Sequence, residues 1–391
     1  MNYEYRKILF EGIEEFQEVA FELSYHLTDN PELPGEEYES SKKIVEILNR
    51  HKIDSHVNYY DLETAFIGKV IEKPESPINI GIITEYDALP EIGHACGHSA
   101  SAAISVLSAL VLKANEANIN ANVDIIGTPD EENEGLKIPM TDNGAFDKYD
   151  FVIMVHLDTQ NSPNGKFLAF ETYHIDFIGK PAHTAASPWD GRSAMDGLML
   201  SIHGFDMLRK CAKPGTVIEG FIENAGIATN IIPDKARGKY TFRSPKSGYI
   251  TDELMPWVRD VVEGCAKATQ TQAEIKPFGY PFKDMKYNQF GTDVIKGVMD
   301  DIGLENSEDE VARGSSDIGN VSYSCPAFHP FVAITDEKIP LHTKEFADVV
   351  KTEKSETVII KGTKVILGFI ARMLDNPEYL EKMKAEFNES K

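Results

Sequence analysis

The chain has 391 residues, with 63 Asp and Glu against 39 Lys and Arg, giving a formal net charge of −24. That length exceeds what one hydrophobic core ordinarily serves and predicts two domains. A composition of 42% hydrophobic and 26% charged residues excludes a wholly disordered or fibrous chain, and the acidity argues against sequence-independent nucleic-acid binding, which needs Lys and Arg at the phosphates.

The amino terminus, Met1 to Phe21, mixes charged and apolar residues and lacks the apolar core of a secretory signal. Residues 7 to 50 carry apolar positions at helical spacing (Phe16, Val19, Ala20, Leu23, then Ser40 to Leu48), broken by the loop from Asn30 to Gly35, so two helices are expected. Apolar runs predict strands at Ile78 to Thr84, Val123 to Gly127 and Phe151 to Val155, with a helix at Ser99 to Ala114 after the first. The longest uncharged stretch, Ser99 to Leu112, falls short of a bilayer span of ~20 residues and reads as a buried helix. Strands alternating with helices predict an α/β domain built on a mixed, mostly parallel sheet.

Near Thr172 the pattern changes. A strand (Tyr173 to Ile178), a helix (Arg192 to Cys211), strands at Val217 to Glu223 and Gly238 to Arg243, a helix (Asp252 to Thr269) and a strand (Ala273 to Pro277) follow in turn. That βαββαβ order is ferredoxin-like. Helix and strand then alternate as before, with a helix at Thr292 to Asp301, the strand Phe331 to Thr335 and a long helix at Glu356 to Met373. The organisation expected is a discontinuous α/β domain, residues 1–171 and 284–391, carrying an inserted α+β domain at 172–283. Four scattered cysteines, Cys96, Cys211, Cys265 and Cys325, make no disulfide framework, and a reducing cytoplasm without membrane attachment is expected. GxxxxGK followed by Ser or Thr, GxGxxG and GxSxG are all absent, which disfavours NTPase, dinucleotide-dependent and α/β-hydrolase chemistry.

The densest chemical cluster is His94-Ala95-Cys96-Gly97-His98, whose thiol and imidazoles suit zinc and similar divalent metals. Asp130-Glu131-Glu132 follows the strand Val123 to Gly127 closely; side chains of the adjacent glutamates diverge, so one can bind metal while the other faces substrate water. His156 directly follows a strand, and His342 lies shortly beyond another. A lone histidine or an acidic pair is ordinarily a core or surface feature. Here Glu85, Asp87, Glu131, Glu132, His156 and, more loosely, His342 all follow apolar strands, and sites in open α/β sheets gather at the carboxyl ends of strands.

The runs Glu85-Tyr86-Asp87-Ala88-Leu89-Pro90, Gly93 to His98 and Gly127 to Glu132 resemble metallopeptidase family M20, in particular its amidohydrolase branch of aminoacylases and aminobenzoyl-glutamate hydrolases. The resemblance continues in order through Gly179 to His183, Asn230 to Asp234, Gly314 to Asp317 and Leu341 to Phe346, with Ser315 to Asn320 pointing to the subgroup that includes dipeptidase-like and methicillin-resistance-associated members. It departs at Ser99, where many relatives place Asp or Asn, and at Asn133-Glu134, where relatives are often glycine-rich. The resemblance implies a zinc-peptidase-like catalytic domain, two divalent ions per subunit held by Cys96, His98, Glu132, His156 and His342 with Cys96 shared, Glu131 as general acid/base, and Asp87 behind a ligand. It implies that the insert is a dimerisation or lid domain of a homodimer or homotetramer and that His183 reaches an active site. Zinc is the first expectation for the metal, with manganese, cobalt or nickel as alternatives. The function implied is metal-dependent hydrolysis of amide bonds in N-acyl amino acids or peptides. A dipeptidase or broader peptidase is the alternative on the same site, and a non-catalytic peptide-binding scaffold is the reading from another class. Asn230 and Arg243, with Arg313, are candidates for holding a substrate, each open to a surface role instead.

Overall fold

The computed structural model describes residues 4–307, 312 and 314–389; Arg313 lies outside them. The chain divides into two compact units, one comprising Met1–Lys166, Met285–Val311 and Asn320–Lys391, the other Phe167–Asp284 and Ala312–Gly319.

The first unit opens with helices α1 (Glu4–Glu11), α2 (Ile13–Asp29) and α3 (Tyr38–Arg50), then strands β1 (Asp54–Tyr59), β2 (Leu62–Ile71) and β3 (Asn79–Thr84). Helix α4 (His98–Ala114), strand β4 (Asn122–Gly127), the short α5 (Lys137–Asp142) and strands β5 (Phe151–Ile153) and β6 (His156–Asp158) follow. The amino-terminal region thus forms three helices where the apolar spacing predicts two. The β1–β2 hairpin is unannounced in the sequence: its turn runs through Asn58, Tyr60 and Asp61 at positive φ without a glycine to mark it, and β1 is a polar, mostly exposed strand.

The second unit contributes β7 (Ala169–Ile178), α6 (Ala194–Leu208), β8 (Val217–Asn224), β9 (Lys235–Ser244), α7 (Met255–Thr269) and β10 (Gln272–Phe282). Its sheet is antiparallel with order β10-β7-β9-β8, the ferredoxin-like arrangement. Helices α6 and α7 pack on each other and on this sheet, and their apolar residues Leu198, Phe205, Val258 and Val262 join Ile175, Phe177 and Phe242 from the strands in a core of the unit's own.

The first unit resumes with α8 (Gln289–Asp301), β11 (Ala327–Phe328), β12 (Phe331–Ala333), α9 (Lys344–Val350), α10 (Lys354–Asp375) and α11 (Pro377–Glu389). Its main sheet has the order β1-β2-β4-β3-β5-β11, with β4, β3, β5 and β11 mutually parallel and β2 antiparallel to both of its neighbours, β1 and β4. From Ile80 to Thr84, β3 is buried on both faces, as a central parallel strand should be. Helix α4 is small-residue-rich and buried nearly all round, with α2 and α10 packed against it. The expected continuous strand Phe151 to Val155 is instead broken. After Ile153 the chain leaves the main sheet, and His156 opens β6, which pairs in parallel with β12 in a separate two-stranded sheet. Among the described residues no helix is long and apolar enough to cross a membrane.

Candidate metal centre

Strands β3, β4 and β5 run parallel as neighbours, so the residues that follow them emerge at one edge of the sheet. Glu85 and Asp87 follow β3, Glu131 and Glu132 follow β4, and His156 follows β5 after two residues. The loop bearing Cys96 enters α4 through Gly97 at φ +83, and a Cβ there would stand 2.7 Å from the Leu157 side chain. Only glycine brings the loop this close to β6, and it sets His98 at the first position of α4. Gly127 serves the same end on β4, where an added Cβ would come 2.0 Å from the Phe66 ring.

The side chains converge. Among the described residues of the first unit, three groups of potential ligand atoms lie within 4.8 Å of one another: Cys96, Glu132 and His342; Glu85, His98 and His156; and His98, Glu131 and Glu132. The five residues expected as ligands are therefore together, with Glu132 and His98 linking the groups. His94 belongs to none of these groups. His98 Nδ1 lies 2.9 Å from Asp87 Oδ1 and 3.0 Å from the Asp87 carbonyl oxygen. A proton on Nδ1 serves both contacts and leaves Nε2 with its lone pair, 3.9 Å from Glu132 Oε1 and with no hydrogen-bond partner. His156 is oriented alike, its Nδ1 lying 2.7 Å from the Leu157 carbonyl oxygen, which accepts a proton from that nitrogen. His342, exposed and at φ +62, is held by donation of its backbone N–H to the Ala95 carbonyl, and its Nε2 lies 3.6 Å from Glu132 Oε2. Asp87 also accepts from the Glu132 backbone N–H at 2.9 Å, so one buried carboxylate positions both a histidine and the glutamate turn.

Burial, the largest cause, pushes the His156 imidazole down to about 3, which keeps it neutral and fit to donate a lone pair. Burial raises the Cys96 thiol, and Glu132 beside it adds to the shift. Burial opposes the charge on Asp87, but His98 holds its carboxyl below the usual range. An orphaned imidazole nitrogen, a thiol and several converging carboxylates form a donor set that fits borderline-soft divalent ions, and histidines oriented from behind by a carboxylate or carbonyl are the usual supports of such ligands.

Three neighbours have no role that the sequence declares. Glu85 is visible there as a strand-end carboxylate, but nothing assigns it to the ligand set. Lys137, fully buried, puts its Nζ 2.6 Å from Glu85 Oε1; nothing in Leu136-Lys137-Ile138 signals a buried ammonium. His329 stacks on His156 with ring centroids 5.3 Å apart, and no motif surrounds it.

The remaining candidates lie in the second unit. His183 and Asn230 are on adjoining exposed segments, with the Thr184 backbone N–H donating to the Asn230 carbonyl. His183 Nδ1 accepts from the backbone N–H groups of Ala185 and Ala186, which fixes its ring and leaves Nε2 as the outward nitrogen. Arg243 donates to Glu219 at 2.7 Å and to Ser315 at 3.1 Å, and its guanidinium lies 4.7 Å from the centre of the Phe170 ring.

The profile of peptidase family M20/M25/M40 matches residues 82–372. The chain is 29% identical over 403 aligned positions to the human (Homo sapiens) Xaa-Arg dipeptidase, covering 96% of this chain and 90% of the relative. Two solved structures share the fold. One is an aminohydrolase candidate from methicillin-resistant Staphylococcus aureus, with TM-score 0.81 and 16% identity, covering 94% of this chain and all of the other. The second is the YXEP protein of Bacillus subtilis, a dinuclear metal-binding M20 peptidase, with TM-score 0.72 and 20% identity, covering 93% and 99% respectively.

Proposed function

The chain belongs to the M20/M25/M40 peptidase family, hydrolases of peptides or N-acyl amino acids, and on that premise we propose that it hydrolyses an amide bond with the help of two divalent ions, Glu131 acting as general acid/base toward the attacking water. Cys96, His98, Glu132, His156 and His342 would hold the ions, zinc first, and such a pair when bound lowers the pKa of water and polarises a carbonyl. Glu131 takes the proton from the attacking water and returns it to the departing amine. Asp87 keeps His98 in the tautomer that leaves Nε2 bare. His183 offers Nε2 to the developing oxyanion, while Asn230 and Arg243 are the second unit's candidates for a substrate carboxylate. The observation that carries this reading is the division of labour at the end of β4: Glu132 spans the Cys96–His342 and His98 groups while Glu131, its neighbour in sequence, faces His98 within the same 4.8 Å cluster.

Dipeptides ending in arginine are the first substrates to try, because the human relative covering nearly the whole chain is an Xaa-Arg dipeptidase. N-acyl amino acids follow. The second unit, residues 172–283 as read from the sequence, would serve as lid and oligomerisation domain of a homodimer or homotetramer. Its Trp189, Met207, Phe221 and Ile227 are large apolar side chains left exposed, which supports this.

Hydrolysis of an Xaa-Arg and N-acyl panel, with and without chelator, tests the reading. Glu131→Gln should retain metal by elemental analysis yet lose about 100- to 10,000-fold in kcat; turnover at the wild-type rate sinks the assignment. Cys96→Ala and His98→Ala should instead lower metal content, and full occupancy in both removes their ligand roles.

A further inference from the structure

The end of β3 supplies a carboxylate outside the ligand set above. Glu85 is buried at 1% exposure, and its Oε2 lies 3.4 Å from His98 Nε2. Since Asp87 occupies the other ring nitrogen of His98, an imidazole lone pair and a carboxylate oxygen face each other across that gap. Two acceptors at such a distance repel unless a proton or a metal ion stands between them, and a bound divalent ion takes the proton's place. A ring nitrogen of His156 lies within 4.8 Å of a ring nitrogen of His98 and of a carboxylate oxygen of Glu85, so two imidazoles and a carboxylate converge.

The second oxygen of Glu85 is already engaged. Lys137 Nζ lies 2.6 Å from Oε1, and the lysine is fully buried. Lysine is almost never buried to this degree unless paired, and one partner here is Glu85, the carboxylate grouped with both histidines. Lys137 opens α5, directly after the turn that carries Glu131 and Glu132, so the pair also ties the end of β3 to the segment following β4. An ammonium on Oε1 discourages two-oxygen chelation and turns Oε2 toward His98. It also balances the charge, so that Glu85 adds an oxygen donor without adding net negative charge around the ion.

We propose, resting on the reading of His98 and His156 as ligands, that Glu85 Oε2 is a third ligand of the ion those histidines hold, with Lys137 a positioning residue that fixes the carboxylate for one-oxygen binding. The site then presents a hard oxygen donor beside its imidazoles, which suits zinc, manganese or cobalt and disfavours copper(I).

The direct test is a crystal structure of the zinc-loaded wild-type protein. Glu85 Oε2 should lie about 2.0–2.2 Å from the ion bound by His98; separation beyond roughly 3 Å, with water or another ligand in that position, overturns the proposal. In solution, cobalt-loaded Glu85→Gln and Lys137→Met should each show altered d–d absorption and bind one of two cobalt ions about 10- to 100-fold more weakly in competition with a chromophoric chelator, the other ion being unaffected. An unchanged spectrum and affinity in Glu85→Gln overturns the proposal alone, provided that His98→Ala loses an ion. If His98→Ala also binds as wild type, the ligand reading fails and the proposal falls with it. Should a variant not fold, the wild-type crystal decides.

Discussion

Glu37 is fully buried at the start of α3, and its Oε1 accepts from the backbone N–H groups of Gly35 and Asp130, each at 2.8 Å. It therefore ties the amino-terminal loop to the residue preceding Glu131-Glu132. Burial and the nearby Asp87 raise its carboxyl from the ordinary 4.5 to about 7. A carboxyl raised on folding binds its proton more tightly in the native state. Its contribution is fully present below pH 4.5, is lost as pH rises through 7, and amounts to about 3 kcal/mol across the shift. Glu37→Gln keeps the amide oxygen as acceptor and removes the titration. Denaturant melts between pH 4.5 and 8 should show wild-type stability declining with pH relative to the variant; parallel curves would refute the shift. No motif announces Glu37, because its importance lies in two backbone amides that only the fold brings to it. Cys96, His98 and Glu132, by contrast, are legible, since their chemistry is rare and their spacing is local.

Gly97 brings the loop before α4 against β6. Gly97→Ala demands a left-handed residue, about 1–2 kcal/mol, and places a methyl against Leu157 at 2.7 Å. It should lower the melting temperature and weaken metal retention together, because the displaced loop carries Cys96 and His98. Loss of stability with full metal occupancy would show that the loop is not held by this approach. Buried, strongly apolar elements are readable to within a few residues: α4 begins at His98 where the sequence predicts Ser99, and β4 at Asn122 where it predicts Val123. Elements set by partners are not. β1 is held by pairing with β2 rather than by its own hydrophobicity, and the break between β5 and β6 is decided by β11 and β12, which come more than 150 residues later.

For the molecule as a whole, the second unit has its own core and sheet, while its exposed Phe221 and Ile227 add an apolar surface to a chain of net charge −24. Replacing both with lysine should shift light-scattering mass from oligomer to monomer with the first unit's metal content unchanged; an unaltered mass removes this face from assembly. The βαββαβ order is evident from the sequence because each of its elements carries its own periodicity. That Ala312–Gly319 belongs to this unit is hidden, since its described residues form no regular strand or long helix. The first unit, finally, is stitched from both ends of the chain. His156 is made early, but its pairing partner Phe331 and the ligand candidate His342 come much later; His342 follows after 342 − 156 = 186 residues. At a synthesis rate of about 5–20 residues per second, the centre stays open for roughly 10–40 s while the rest is made. A centre that includes His342 is thus completed late in the life of the nascent chain, only after the last strand has joined.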